Sequence, residues 1–118
     1  MGPVGTISYS RQSVTGNNVN DADTSYILIA SPTTTSDILV LDRATFGNLV
    51  GVSPTTTVVA VSCLGACSAQ SATVLDLPVN LATERHVVLS VAPAGHSLYL
   101  KVTGAGRFDA SVVWHVVK

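Results

Sequence analysis

The stretch Thr57–Cys63, "TVVAVSC", decides the fold of this chain. Val58, Val59 and Val61 branch at Cβ, which crowds a helix and suits a pleated sheet. No i, i+3, i+4 apolar pattern runs through it, and Pro54 and Gly65 bracket it. It reads as a strand. Its apolar residues do not alternate with polar ones, so both faces are apolar. Such a strand is buried on both sides of its sheet or lies against another subunit.

Outward from this stretch the same pattern recurs in "YILIA" (26–30), "DILVLD" (37–42) and "VVW" (112–114). Runs of Val, Ile, Thr and Tyr at Thr6–Val14, Ser25–Ala30, Asp37–Leu41, Leu49–Val52, Thr57–Cys63, Ser71–Leu77, His86–Val91, Ser97–Thr103 and Ala110–Val117 read as about eight strands, the one at Leu49–Val52 being short. Arg43–Asn48 reads as a single helical turn with Asp42 as its cap. The connections carry turn residues. "SPTTT" occurs at Ser31–Thr35 and again at Ser53–Thr57, and "PAGHS" and "TGAGR" join the last strands at hairpin-like lengths. The expected fold is all-β: a single domain over residues 1–118, an antiparallel β-sandwich of about eight strands, jelly-roll-like. Residues 1–6 are expected to form an extended N-terminal arm.

Composition narrows the function. Charged residues are 11% of the 118 residues, hydrophobic residues 47%, and the mean hydropathy is +0.45. This is the opposite of a disordered chain. The formal net charge is −1, and Arg11, Arg43, Arg85, Lys101, Arg107 and Lys118 are scattered, so no basic face for nucleic acid is expected. Ala44–Leu75 carries no charge, but Gly47, Gly51, Pro54 and Gly65 break it, and a spanning helix needs about 20 continuous apolar residues. No membrane partner is expected. The opening "MGPVGTIS" has neither a basic nor an apolar region, so no secretory signal is expected in the chain as it stands.

Cys63 and Cys67 are the only two cysteines. Along a straight strand residues four apart lie about 13 Å apart, and a disulfide needs Cα atoms within roughly 7 Å. They can bond only if the chain reverses, and Leu64-Gly65-Ala66 has the length of a three-residue hairpin loop, with Gly65 permitting positive φ. A staple across that turn and two free thiols are the alternatives. Zinc needs four ligands, and His86, His96 and His115 have no ligand spacing.

The loop "NNVNDAD" gathers oxygen ligands, with Asp21 and Asp23 as the weak candidate for a cation, but no glycine turn or closing glutamate completes a calcium loop. Glu84, Arg85 and His86 form the densest polar cluster, without a second group to share acid–base work. No serine sits in Gly-x-Ser-x-Gly. No catalytic residue, metal or cofactor is expected, and the chain does not read as an enzyme.

With its uncharged Ala44–Leu75 stretch, two "SPTTT" turns, and last strand running to Lys118, the chain resembles the small head-decoration (cement) proteins of tailed bacteriophages. The resemblance implies a structural virion protein on the capsid surface. It would be a homo-oligomer, with a trimer favoured, that binds and reinforces a lattice of major capsid protein. Gly2, Pro3 and Val4 on the arm and Val112, Val113 and Trp114 on the last strand are the expected contact residues. The alternative is a carbohydrate-binding, lectin-like sandwich or a surface adhesin subunit, which would be extracellular.

Overall fold

A computed structural model describes residues 4–11, 24–65, 67, 72–104 and 106–117, with side chains described from Thr24 onward except at Val88. The strands are β1 (Val4–Arg11), β2 (Thr24–Ala30), β3 (Ile38–Val50), β4 (Thr57–Cys63), β5 (Thr73–Val74), β6 (Val79–Asn80), β7 (His86–Val91), β8 (Ser97–Thr103) and β9 (Gly106–Val117). They form two antiparallel sheets. Sheet A has the order β1-β9-β3-β7, and sheet B the order β2-β8-β4-β5, with β6 also paired to β4. β8 pairs along all of β4, so β5 and β6 share its other edge as one interrupted strand. Among the described residues eight strand positions result, and the chain crosses between the sheets at nearly every connection. This is the jelly-roll arrangement.

The core lies between the sheets. β3 contributes Leu39, Leu41, Ala44 and Phe46, β9 contributes Phe108, Ala110 and Val112, and sheet B contributes Val58, Ala60, Leu98, Leu100 and Val102. Phe46 and Phe108 meet edge to face with ring centroids 5.3 Å apart, the favoured geometry for two aromatic quadrupoles. On β4 the other face is closed as well. Val59, Val61 and Cys63 lie outside the core cluster, yet all are buried. The two-faced apolar strand is thus covered on both sides within one chain.

Three expectations are corrected. Arg43–Asn48 is strand, not a helical turn, because β3 runs unbroken through it. The misleading signal comes from two β-bulges. Pairing with β9 slips by one residue between Leu41 and Arg43 and again between Gly47 and Val50. The first slip switches the inward set from Leu39 and Leu41 to Ala44 and Phe46, so Asp42 and Arg43 both avoid the core. The second passes through Asn48, whose φ of 53° suits asparagine and whose Nδ2 donates to Asp109 Oδ2 at 2.8 Å. Of the strand expected over Ser71–Leu77, Ser71 lies outside the described residues and only Thr73–Val74 of the rest is strand, with Pro78 unable to donate to β4 beyond it. The arm expected over residues 1–6 is strand from Val4 onward, where Val4, Gly5 and Thr6 pair with Val113, Val112 and Ser111.

Candidate functional site

Cys63 and Cys67 are joined in a disulfide, with Cα atoms 5.3 Å apart. Gly65 takes the expected positive φ, 88°. The bond does not cross a three-residue hairpin, however. Among the described residues the chain first rejoins β4 at Ser62↔Thr73, so the disulfide pinches the start of a longer connection. The bend is tied to the sheet by the Tyr99 hydroxyl, which donates to the Gly65 carbonyl at 3.2 Å. Cys63 is fully buried, while Leu64 projects at the tip.

The outer face of sheet A is built by alternation. Residues of β9 that point away from the core include Val113, His115 and Val117; their register partners on β3 are Arg43, Val40 and Ile38, with the bulged Asp42 beside them, and Val91 of β7 pairs with Val40. Register places Val91, Val40 and His115 in one row across three strands. Leu89 and Val91 are 65% and 54% exposed, and Val117 is also exposed, whereas Val40 and Val113 are nearly buried by the side chains around them. Within this apolar surface His115 Nδ1 donates to Asp42 Oδ2 at 2.8 Å. The bulge at Asp42 makes that reach: it leaves the carboxylate on the outer face beside the neighbouring strand's imidazole. The result is a small cluster of exposed apolar side chains, Leu89, Val91 and Val117, around one tethered polar pair, with exposed Arg43 on the same face.

Glu84 and His86 do gather with a further carboxylate. With Asp76, Leu77, Pro78 and Val79 they line an open cleft of about 290 Å³. Asp76 is partly committed, since its Oδ1 accepts from the Leu77 amide at 2.8 Å. The cleft lining lacks the flat Tyr or Trp ring on which a pyranose would stack. Among the described residues no three His, Cys, Asp or Glu side chains converge to hold a metal ion.

The residues read as contact candidates separate. Val112 belongs to the core between the sheets and is removed from any contact surface, because β9 is an interior strand whose even-numbered residues point inward. Trp114 shares that inward phase and packs against the core while half-buried. Val113 faces outward, but is nearly covered. Val4 is the first residue of β1, and Gly2, Pro3, Asp21 and Asp23 lie outside the described residues. Sequence reasoning missed Asp42, Leu89 and Val91. Asp42 is hidden by the bulge, and Leu89 and Val91 lie in an expected strand whose two faces the sequence does not separate.

Comparison with known proteins adds no relative: no protein-family model, curated protein or solved structure matches the chain.

Proposed function

We propose that this chain is a structural, non-catalytic subunit that decorates and reinforces a protein lattice, in the manner of phage head-decoration proteins. The lattice is a viral capsid, and the protein works on the virion surface as a homo-oligomer. The observation that carries the reading is the outer face of sheet A. Leu89, Val91 and Val117 stand exposed there around the His115–Asp42 pair, a surface whose cost in water is relieved by docking. The jelly roll is used by capsid and lectin domains alike, so the fold supports the reading without deciding it.

The test is co-sedimentation of the full chain with capsids from its source. Wild type should pellet with the lattice, and Val91→Asp should stay in the supernatant with its melting temperature unchanged. A soluble protein that binds no capsid, but binds a glycan array, would overturn the reading in favour of the lectin alternative.

A further inference from the structure

β7 gathers unfavourable features at three consecutive residues. Leu89 has φ at 34°, in the left-handed region, where a bulky side chain crowds its own backbone. Among the described residues the other positive φ outside glycine is at Asn48, a residue type that tolerates it. Ser90, next in the chain, is 2% exposed, and its hydroxyl is buried without a hydrogen-bond partner. Val91, like Leu89, holds an exposed aliphatic side chain.

The cause lies one strand away. β3 gains a residue on β9 beside Asp42, so Leu41 and Ala44 both face the core. β7 stays in register with β3 on either side of this point, through Leu41↔Ser90 and Arg43↔Val88. It therefore takes up an extra residue of its own, and the kink falls at Leu89. Both ends of the strand are fixed: the Phe46 amide donates to the Arg85 carbonyl and the Ala92 amide to the Leu39 carbonyl, each at 2.9 Å. The strand is held at its ends and strained at its middle.

We infer that β7 is a release strand, a conformational device built into the sandwich: its middle lifts from β3 and returns while the other strands stay paired. Opening lets Leu89 return to negative φ and brings the Ser90 hydroxyl to water, so relief of both offsets part of the lost pairing. Among the described residues β7 pairs with β3 alone, so its departure breaks a single ladder. Local openings of this kind need less free energy than global unfolding. Only the closed form keeps Val91 paired with Val40 and Leu89 level with Asp42 on the outer face of sheet A. A partner seated on that face selects the closed form and clamps the strand. The clamping rests on the proposed docking face; the opening does not.

The test is native-state hydrogen exchange of the isolated full chain at increasing urea. Protected β7 amides should exchange through an opening with little urea dependence, while those of β4 and β9 exchange through global unfolding. Leu89→Asn, which accepts positive φ, should slow β7 exchange by roughly tenfold, and Leu89→Val, stiffer at Cβ, should hasten it. Ser90→Ala deletes the unpaired hydroxyl and should slow it by roughly fivefold. Gly104→Ala, whose added Cβ would meet Thr56 away from β7, should hasten exchange in β4 and leave β7 unchanged. β7 amides that follow β4 in urea and in Gly104→Ala would overturn the inference. So would β7 exchange that neither Leu89→Asn nor Ser90→Ala slows. With capsids added, wild-type β7 exchange should slow further. A β7 that opens in isolation but is indifferent to capsids leaves the release strand standing and removes the docking face; a β7 that never opens, in a chain that binds capsids, does the reverse.

Discussion

Replacing Gly104 with alanine should destabilise the protein more than any other single-methyl addition in the sandwich connections. Gly104 lies between β8 and β9 with φ at 110°, where an L side chain is strained by of order 1–3 kcal/mol. The added Cβ would also sit 2.7 Å from Thr56 Oγ1 and 2.9 Å from Thr56 Cα. Thr56 has little freedom to yield. It is 1% exposed, its amide donates to the Ser53 carbonyl at 3.1 Å, and its own carbonyl accepts from the Leu81 amide at 3.0 Å. Overpacking of this kind adds about 1–3 kcal/mol. The two costs together come to about 4 kcal/mol, against a total stability of about 5–15 kcal/mol for a domain of this class. For a chain of this length that lowers the melting temperature by about 15–20 °C. Gly47→Ala is the control. Gly47 lies in β3 with ordinary φ and no atom within 4 Å of an added Cβ. There alanine should be neutral or stabilise by up to about 1 kcal/mol. Urea unfolding of both variants, compared at equal m, gives the measurement. If Gly104→Ala falls within about 1 kcal/mol of Gly47→Ala, then the β8–β9 turn slides past Thr56 freely and the packing argument fails.

Alkylation of the native, unreduced protein should label neither Cys63 nor Cys67, and labelling after reduction should modify both; rapid native labelling would refute the bond. Cys63→Ala with Cys67→Ala should cost about 2 kcal/mol in urea unfolding, from the loop entropy of a five-residue ring. Leu41→Ala, at a fully buried core position, should cost about 2–5 kcal/mol, while Leu64→Ala at the exposed bend should stay within about 0.5 kcal/mol. Asp42→Asn should cost less than about 1 kcal/mol, because both partners of the His115 pair are about a third exposed and screened by solvent.

Much of the fold was legible in local chemistry. β4, β7 and β8 have the boundaries expected from runs of β-branched residues between turn residues, and β2 differs by Thr24 alone. The disulfide was legible as one of two alternatives, because two cysteines four apart around a glycine can bond only where the chain bends, and the bend is not the hairpin expected. What escaped depends on pairing partners. A bulge is a mismatch between two strands, and the sequence of β3 by itself holds no record that β9 is one residue short beside Asp42. β9 begins at Gly106 and not at Ala110, since its first residues pair with β1, far away in sequence. The outer face of sheet A was illegible for the same reason. Exposure of Leu89 and Val91 follows from β7 being an edge strand, and the run "HVVLSV" alone does not reveal which of its apolar residues lack a neighbour.

The interior place of β9 has a consequence for how the chain is made. β9 is the last of the described strands in chain order, yet it separates β1 from β3 and pairs with both. Sheet A cannot assemble in order of emergence; its first strand waits for a partner more than ninety residues away, as the pairing of Val4 with Val113 shows. Sheet B is complete once Thr103 has emerged, with Val58, Ala60, Leu98, Leu100 and Val102 facing a layer that is still open. A nascent chain that has reached Thr103 therefore has only the β3–β7 pair to set against sheet B, and part of its apolar face is uncovered, the kind of species that aggregates when translation outruns folding. Insertion of one late strand converts it, in a single step, into the closed jelly roll.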